Sequence, residues 1–276
     1  MDFFTTLLNG ETLVLFPLIV ALLGSIAFGV MGSYVVVQRN SYLAGAISHT
    51  VLGGIGIAVF LKEKYQLEWL TTQMGAFSAA LLATFIIVLV GANKSHREDS
   101  LIGAVWVFGM SAGVVFIAMT PGYNDISSYL FGDILFVTKS DIWLLLILDI
   151  IIITAGLLFY NQLLALCFDE EFAKLRGIKN RVYYFLLLLL TSITIVLMVN
   201  MVGIVMVIAL LTLPAATASL FSKHMWQMIV GGALLCAFSM ITGFVLSYNY
   251  DLPTGPVIVL VATLLYFLLA TIKRIF

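Results

Sequence analysis

Nine apolar runs separated by short polar segments organise this chain. They are Leu13–Val37, Ala46–Leu61, Thr72–Ala92, Leu101–Met119, Ile142–Tyr160, Val182–Val199, Val202–Phe221, Met225–Tyr248 and Val257–Ile272. A helix crossing a bilayer core needs about 20 predominantly apolar residues, with a range of roughly 17–25. Most of the runs meet that length, and Ala46–Leu61 falls short. Only Asn200-Met201 separates the sixth run from the seventh, so the two form either a tight helical hairpin or one broken helix. The pattern predicts an all-α, polytopic membrane protein with eight or nine transmembrane helices, built as a single transmembrane domain over residues 1–276.

Composition agrees. Of the 276 residues, 62% are hydrophobic and 10% charged, against about a quarter charged in an ordinary soluble domain. No soluble unit can be cut from such a chain. A net charge of -1 gives no reason to expect a nucleic-acid partner. Cys167 and Cys236 lack metal-type spacing, and one sits inside an apolar run, so neither a zinc site nor a disulfide is expected. Met1–Glu11 has acids but no Lys or Arg. Without a basic leader the first apolar run is expected to stay in the mature protein.

The basic residues orient the chain. With the N-terminus outside, the cytoplasmic segments hold Arg39, Lys94, Arg97, Lys174, Arg176, Lys179, Arg181, Lys223, Lys273 and Arg274. The outer side keeps Lys62, Lys64 and Lys139. Ten against three follows the positive-inside rule and puts the C-terminus in the cytoplasm.

Against this apolar background, His49 stands out. It follows Ser48 near the start of the second run, where no charge occurs before Lys62. An ionisable residue at membrane depth points to function, and imidazole is a common ligand for transition metals. The alternative is a histidine that is hydrogen-bonded at a helix start. Ser48 offers either a weak oxygen ligand or a hydroxyl bonded back to its own helix. Asp149 lies several turns inside the fifth run, where a carboxylate costs roughly 2.5–3.5 kcal/mol. It is either a carboxylate on an ion path or a protonated side chain bonded to a neighbouring helix.

Asp125, Asp133, Asn249 and Asp251 fall in outer loops, and Asp133 and Asp251 are candidates for an outer vestibule that gathers cations. Asn200 reads as a turn. Met198, Met201 and Met206 read as packing, and His96 and His224 as loop residues. Gly53-Gly54-x-Gly56 and the Gly103, Gly109, Gly113 series suit close helix packing. The first cluster also allows a locally opened helix.

The longest cytoplasmic polar stretch, 166–181, carries its own helix signals. Asp169 is placed as N-cap, with Glu170 and Glu171 in the first turn, Lys174 and Arg176 in the last, and Gly177 as terminator. Phe168, Phe172 and Leu175 recur at i, i+4 and i+7 and form one apolar face. Such a helix rests on lipid or inserts into a groove of a cytoplasmic partner.

Phe168–Gly177 resembles the coupling helix of the permeases in the ATP-binding-cassette zinc/manganese/iron importers. Four more stretches match that family in order. They are Gly32–Arg39, Ser48-His-Thr-Val-Leu with Gly54, Val202–Ala218 with its Leu-Pro-Ala-Ala, and Asp251-Leu-Pro-Thr-Gly-Pro256. The resemblance implies a permease in the bacterial plasma membrane, paired with a second copy as a homodimer. It also implies two cytoplasmic ATP-binding subunits and an extracytoplasmic metal-binding protein. The cargo would be a divalent transition-metal ion, with no permanently bound cofactor, and His49 would line the path.

Many family members carry an Asp four residues before this histidine, and here that position is Gly45. Many have Pro where this chain has Gly53. With the acid gone, zinc is favoured over manganese or iron, because Mn2+ prefers carboxylate. A Walker A sequence and His-Glu-x-x-His are both missing, so the chain is expected to be a transport subunit and not an enzyme. The alternatives are an ABC permease for a metal chelate of siderophore or cobalamin type, and a proton-coupled secondary metal transporter using Asp149 and His49 as a relay.

Overall fold

The structure, a computed structural model, describes residues 12–91, 98–121, 126–132 and 134–275. The described residues are almost all helical, with no strand among them. The helices are α1 (Thr12–Val37), α2 (Ser41–Tyr65), α3 (Thr72–Gly91), α4 (Glu98–Met119), α5 (Ile126–Phe131), α6 (Lys139–Leu158), α7 (Tyr160–Phe168), α8 (Glu170–Leu175), α9 (Asn180–Val202), α10 (Ile204–Ser219), α11 (Met225–Tyr250) and α12 (Thr254–Ile275). A 3-10 turn, Ile134–Phe136, lies between α5 and α6.

Eight of these, α1 to α4, α6, α9, α11 and α12, are long and apolar enough to cross a membrane. α10 is apolar but only 16 residues long, about 24 Å at 1.5 Å per residue. The second apolar run, short in the sequence, becomes a full span. Ser41–Gly45 and Lys62–Tyr65 continue the helix at both ends.

Asn200, expected to turn, is the third residue from the end of α9. Its amide donates to the Val196 carbonyl at 3.3 Å. The break between α9 and α10 falls at Gly203 instead, with φ 82°. Gly203 lies directly against the backbone of Phe131 and Gly132, and Gly132 is itself at φ 63°. Both residues need positive φ, and a Cβ on either would enter the other's backbone. The helix stop is therefore a tertiary contact made by two distant glycines, which a local turn signal does not report.

The packing divides into two groups. α2 lies between α3 and α4, and α10, α11 and α12 pack against one another. α1 and α9 join the groups: α1 packs on α6, α10 and α11, and α9 on α2 and α3. The short α7 was not expected. It packs beneath α1 and α9 and delivers the chain to α8.

Candidate metal pathway and docking helix

α2 is held by backbone-to-backbone contacts. A Cβ on Gly53 would lie 2.7 Å from the Gly109 carbonyl oxygen, and one on Gly56 would lie 2.5 Å from that of Gly113, both on α4. Gly54 and Gly75 of α3 meet in the same way. In lipid no hydrophobic effect drives helices together, and small residues allow this close approach. Thr50 donates to its own Ala46 carbonyl at 2.7 Å and reaches the Val105 carbonyl of α4 at 3.4 Å. The helix runs unbroken through the glycine cluster, so the glycines serve packing and the opened helix does not occur.

His49 therefore stands in the third turn of a rigid helix, not at its cap. Its side chain is half-buried. The imidazole stacks on Trp106 of α4, with ring centroids 4.8 Å apart and planes inclined by 21°. Nδ1 is enclosed without a hydrogen-bond partner. No hydrogen bond at Nδ1 marks the ring as a helix cap. Ser48 is fully buried, and its hydroxyl donates to the Ala44 carbonyl at 2.8 Å, the local back-bond rather than a free oxygen.

Asp149 does not join His49. Its helix α6 packs on α1, and the carboxyl lies near the Ala27 backbone with neither oxygen completing a hydrogen bond. It is 4% exposed. Among the described residues no three His, Cys, Asp or Glu side chains gather into a group that could hold a metal. Asp251 sits apart from these, exposed at the end of α11 with φ 53°. Asp125, Asp133, His96, Lys94 and Arg97 lie outside the described residues.

The remaining soft donors are packing. Met198, Met201 and Met206 are buried in the core, and Met198 abuts Gly24. Both cysteines are free. Burial pushes the Cys167 thiol of α7 up to about 12, so it stays protonated and a poor metal ligand at neutral pH.

α8 follows the sequence signals closely. The Asp169 carboxylate accepts from the Phe172 amide at 2.9 Å, the N-cap bond that helix starts favour. At the far end Gly177 takes φ 76°. Its amide donates to Lys174, and Ile178 donates to Ala173, both at 3.0 Å. This pair of hydrogen bonds around a left-handed glycine closes the helix. One face is anchored by Ala173, which is fully buried. The opposite side exposes Phe168, Phe172 and Leu175 at 68%, 46% and 87%. Phe168 belongs to the end of α7 rather than to α8, so the apolar patch spans a helix corner. Arg176 lies over the Phe172 ring, 4.8 Å from its centroid. Glu171 is exposed beside it.

The residue that sequence reasoning missed is Trp106. It lies 57 positions beyond His49 in a helix with no polar landmark nearby, and only the α2–α4 packing brings the two rings together.

Comparison with known proteins gives this arrangement a context. Residues 12–273 match the model of the ABC 3 transport family. A "Probable metal transport system membrane protein" of Chlamydia muridarum is 37% identical over 262 residues, covering 94% of this chain and 89% of that protein. The manganese transport system membrane protein MntC of Listeria monocytogenes is 34% identical over 252 residues, covering 91% and 87%. Among solved structures, PsaBC from Streptococcus pneumoniae in complex with Fab superposes with a TM-score of 0.84 at 28% identity, covering 97% of this chain and 94% of that one. With the family's model matched from the first described helix to the last, this chain belongs to the ABC 3 transport family, as an all-helical membrane permease of the metal-importer type.

Proposed function

We propose that this chain is the membrane subunit of an ATP-driven importer of a divalent transition-metal ion, with His49 contributing to the ion path. The observation that carries the reading is His49 itself. A metal-competent imidazole stands on a rigid span with one nitrogen enclosed and unpartnered. Nothing in the surrounding packing uses it as a structural hydrogen-bonding group. Ionisable residues at membrane depth are costly and are kept for ion pathways.

One imidazole per chain makes a poor site, so a second copy is paired with the first and presents its own His49 across a shared path. Asp149, buried with neither oxygen hydrogen-bonded, is left out of the proposed site. The N-terminus is outside, which leaves α8 on the cytoplasmic side. The exposed Phe168, Phe172 and Leu175 then enter a groove on a separate ATPase, the recognition mode of an amphipathic helix in an apolar groove. Asp169, Glu170, Glu171, Arg176 and Gly177 cap, orient and terminate that helix. An extracytoplasmic metal-binding protein delivers the ion at the loops that carry Asp133 and Asp251.

For the cargo, an imidazole without a carboxylate beside it suits Zn2+ better than Mn2+. The names of MntC and of other relatives set the competing expectation of manganese. Uptake by the permease–ATPase complex decides both points. His49→Ala is expected to remove most transport of the preferred ion. Undiminished uptake of zinc, manganese and iron alike would remove His49 from the path.

A further inference from the structure

Trp106 meets α2 at two adjacent places. Its ring atoms Cζ3 and Cη2 occupy the space that a Cβ on Gly45 would need, at 2.7 and 2.8 Å. The same indole lies nearly parallel to the His49 imidazole. Residues four apart share a helix face about 5–6 Å from one another. One side chain from α4 thus controls the pathway histidine and the position one turn before it.

The α2 positions that neighbour His49 by helical spacing are Gly45, Ala46, Leu52 and Gly53. None carries a donor atom. Two of the four are closed by α4, Gly45 by the indole and Gly53 by the Gly109 carbonyl. A histidine that binds metal is ordinarily aimed by a hydrogen bond from its second ring nitrogen to a carboxylate or carbonyl. At His49 that bond is missing, because Nδ1 is enclosed without a partner. What fixes the ring plane is the indole stack. Of the two nitrogens, only Nδ1 is sealed in this way, which leaves Nε2 as the available donor.

We propose that Trp106 is a positioning and specificity-determining residue of the ion path. It aims His49 by stacking and keeps position 45 without a side chain, so that each subunit offers the ion one imidazole and no carboxylate. Ions that bind imidazole well, such as Zn2+, are preferred over Mn2+, which is better served by oxygen donors. This inference rests on the reading of His49 as a pathway residue.

Two measurements test it. The first uses the intact permease–ATPase complex with Trp69, Trp143 and Trp226 changed to Phe, so that Trp106 is the only tryptophan of the permease, and records permease-specific fluorescence against Zn2+ with a matched complex lacking Trp106 subtracted. Zn2+ is expected to change Trp106 emission, and His49→Ala to abolish the change. This arm retains the native Trp106 contact. Unchanged Trp106 emission during zinc transport that still depends on His49 would overturn the proposal.

The second compares Zn2+ and Mn2+ uptake in competition. Trp106→Phe, which keeps a stacking ring, is expected to retain the wild-type ratio. The double variant Gly45→Asp/Trp106→Ala, which puts a carboxylate into the vacated space, is expected to move the ratio toward Mn2+ by about tenfold, equivalent to about 1.4 kcal/mol. An unmoved ratio in a folded double variant would sink the specificity role. Loss of uptake in His49→Ala together with an unmoved ratio would leave the pathway reading standing and remove Trp106 from it. Normal uptake in His49→Ala would remove both.

Discussion

His49 and Asp149 are both ionisable residues inside apolar helices, and their surroundings are opposite. His49 sits on α2, which α3 and α4 grip through glycine backbones, yet its ring is half-exposed and stacked on an indole. Asp149 sits on α6, which packs mainly on α1, and is almost fully buried with neither oxygen hydrogen-bonded. The helix held by α3 and α4 carries the accessible group, and the sealed group sits on a helix packed on α1. A ligand for a passing ion needs a fixed backbone and an open donor, and only the first region supplies both. Burial by itself therefore does not favour a residue as the proposed ligand; access to a donor on a closely packed helix does.

The largest effect expected is on that frame. Gly54→Leu would drive a side chain into the Gly75 backbone, where neither helix can retreat without losing its neighbours. The protein is expected to fail to accumulate in the membrane as a monodisperse species by size-exclusion chromatography. Gly103→Leu on α4, where nothing lies within 4 Å of an added Cβ, is expected to be tolerated. Equal behaviour of the two variants would mean that the glycine contacts are not what holds α2.

Next comes docking. Phe172→Asp puts a charge into an exposed apolar patch and leaves the Asp169 cap and the Gly177 terminator in place. Hot-spot aromatics contribute about 2 kcal/mol or more to an interface, so co-purification with the ATPase is expected to drop sharply while the permease alone stays folded. Full retention of the ATPase would assign α8 to the lipid surface instead.

How much of this was legible in the sequence follows from the range of each interaction. The cap at Asp169 and the terminator at Gly177 are set within ten residues and are legible from residue type, whereas Phe168, read as part of the same apolar face, ends α7 instead. The spans were legible because lipid demands long apolar helices. The errors fall where a contact is long-range. Asn200 looked like the turn because it is the polar residue in the run, but the break needs Gly132, about 70 positions away, pressed against Gly203. Trp106 was invisible for the same reason. The packing of Asp149's helix on α1 was not legible either, because hydrophobic pattern reports depth in the membrane and not which helices are neighbours.

Asp149 sharpens the comparison from the other side. A buried polar group without a partner costs about 1–3 kcal/mol relative to an apolar group of similar shape. Asp149→Val is therefore expected to raise the apparent melting temperature in detergent, with metal uptake retained. Loss of uptake with improved stability would show that the carboxyl acts in transport, and would restore it as a partner of His49.

The smallest effect is expected next door to His49. If the Ser48 oxygen were a ligand, removing it would weaken uptake at limiting metal concentrations in step with His49→Ala. Its hydroxyl proton is instead committed to the Ala44 carbonyl, and the side chain is fully enclosed. A serine bonded back to its own helix contributes little, and Ala is the better helix former by about 0.5 kcal/mol. The gain in propensity and the loss of one weak bond roughly offset each other. Ser48→Ala is accordingly expected to leave both the melting temperature and the metal dependence of uptake close to wild type. The contrast between neighbours one residue apart, measured in the same transport assay, separates a donor exposed to the path from one turned back into its helix.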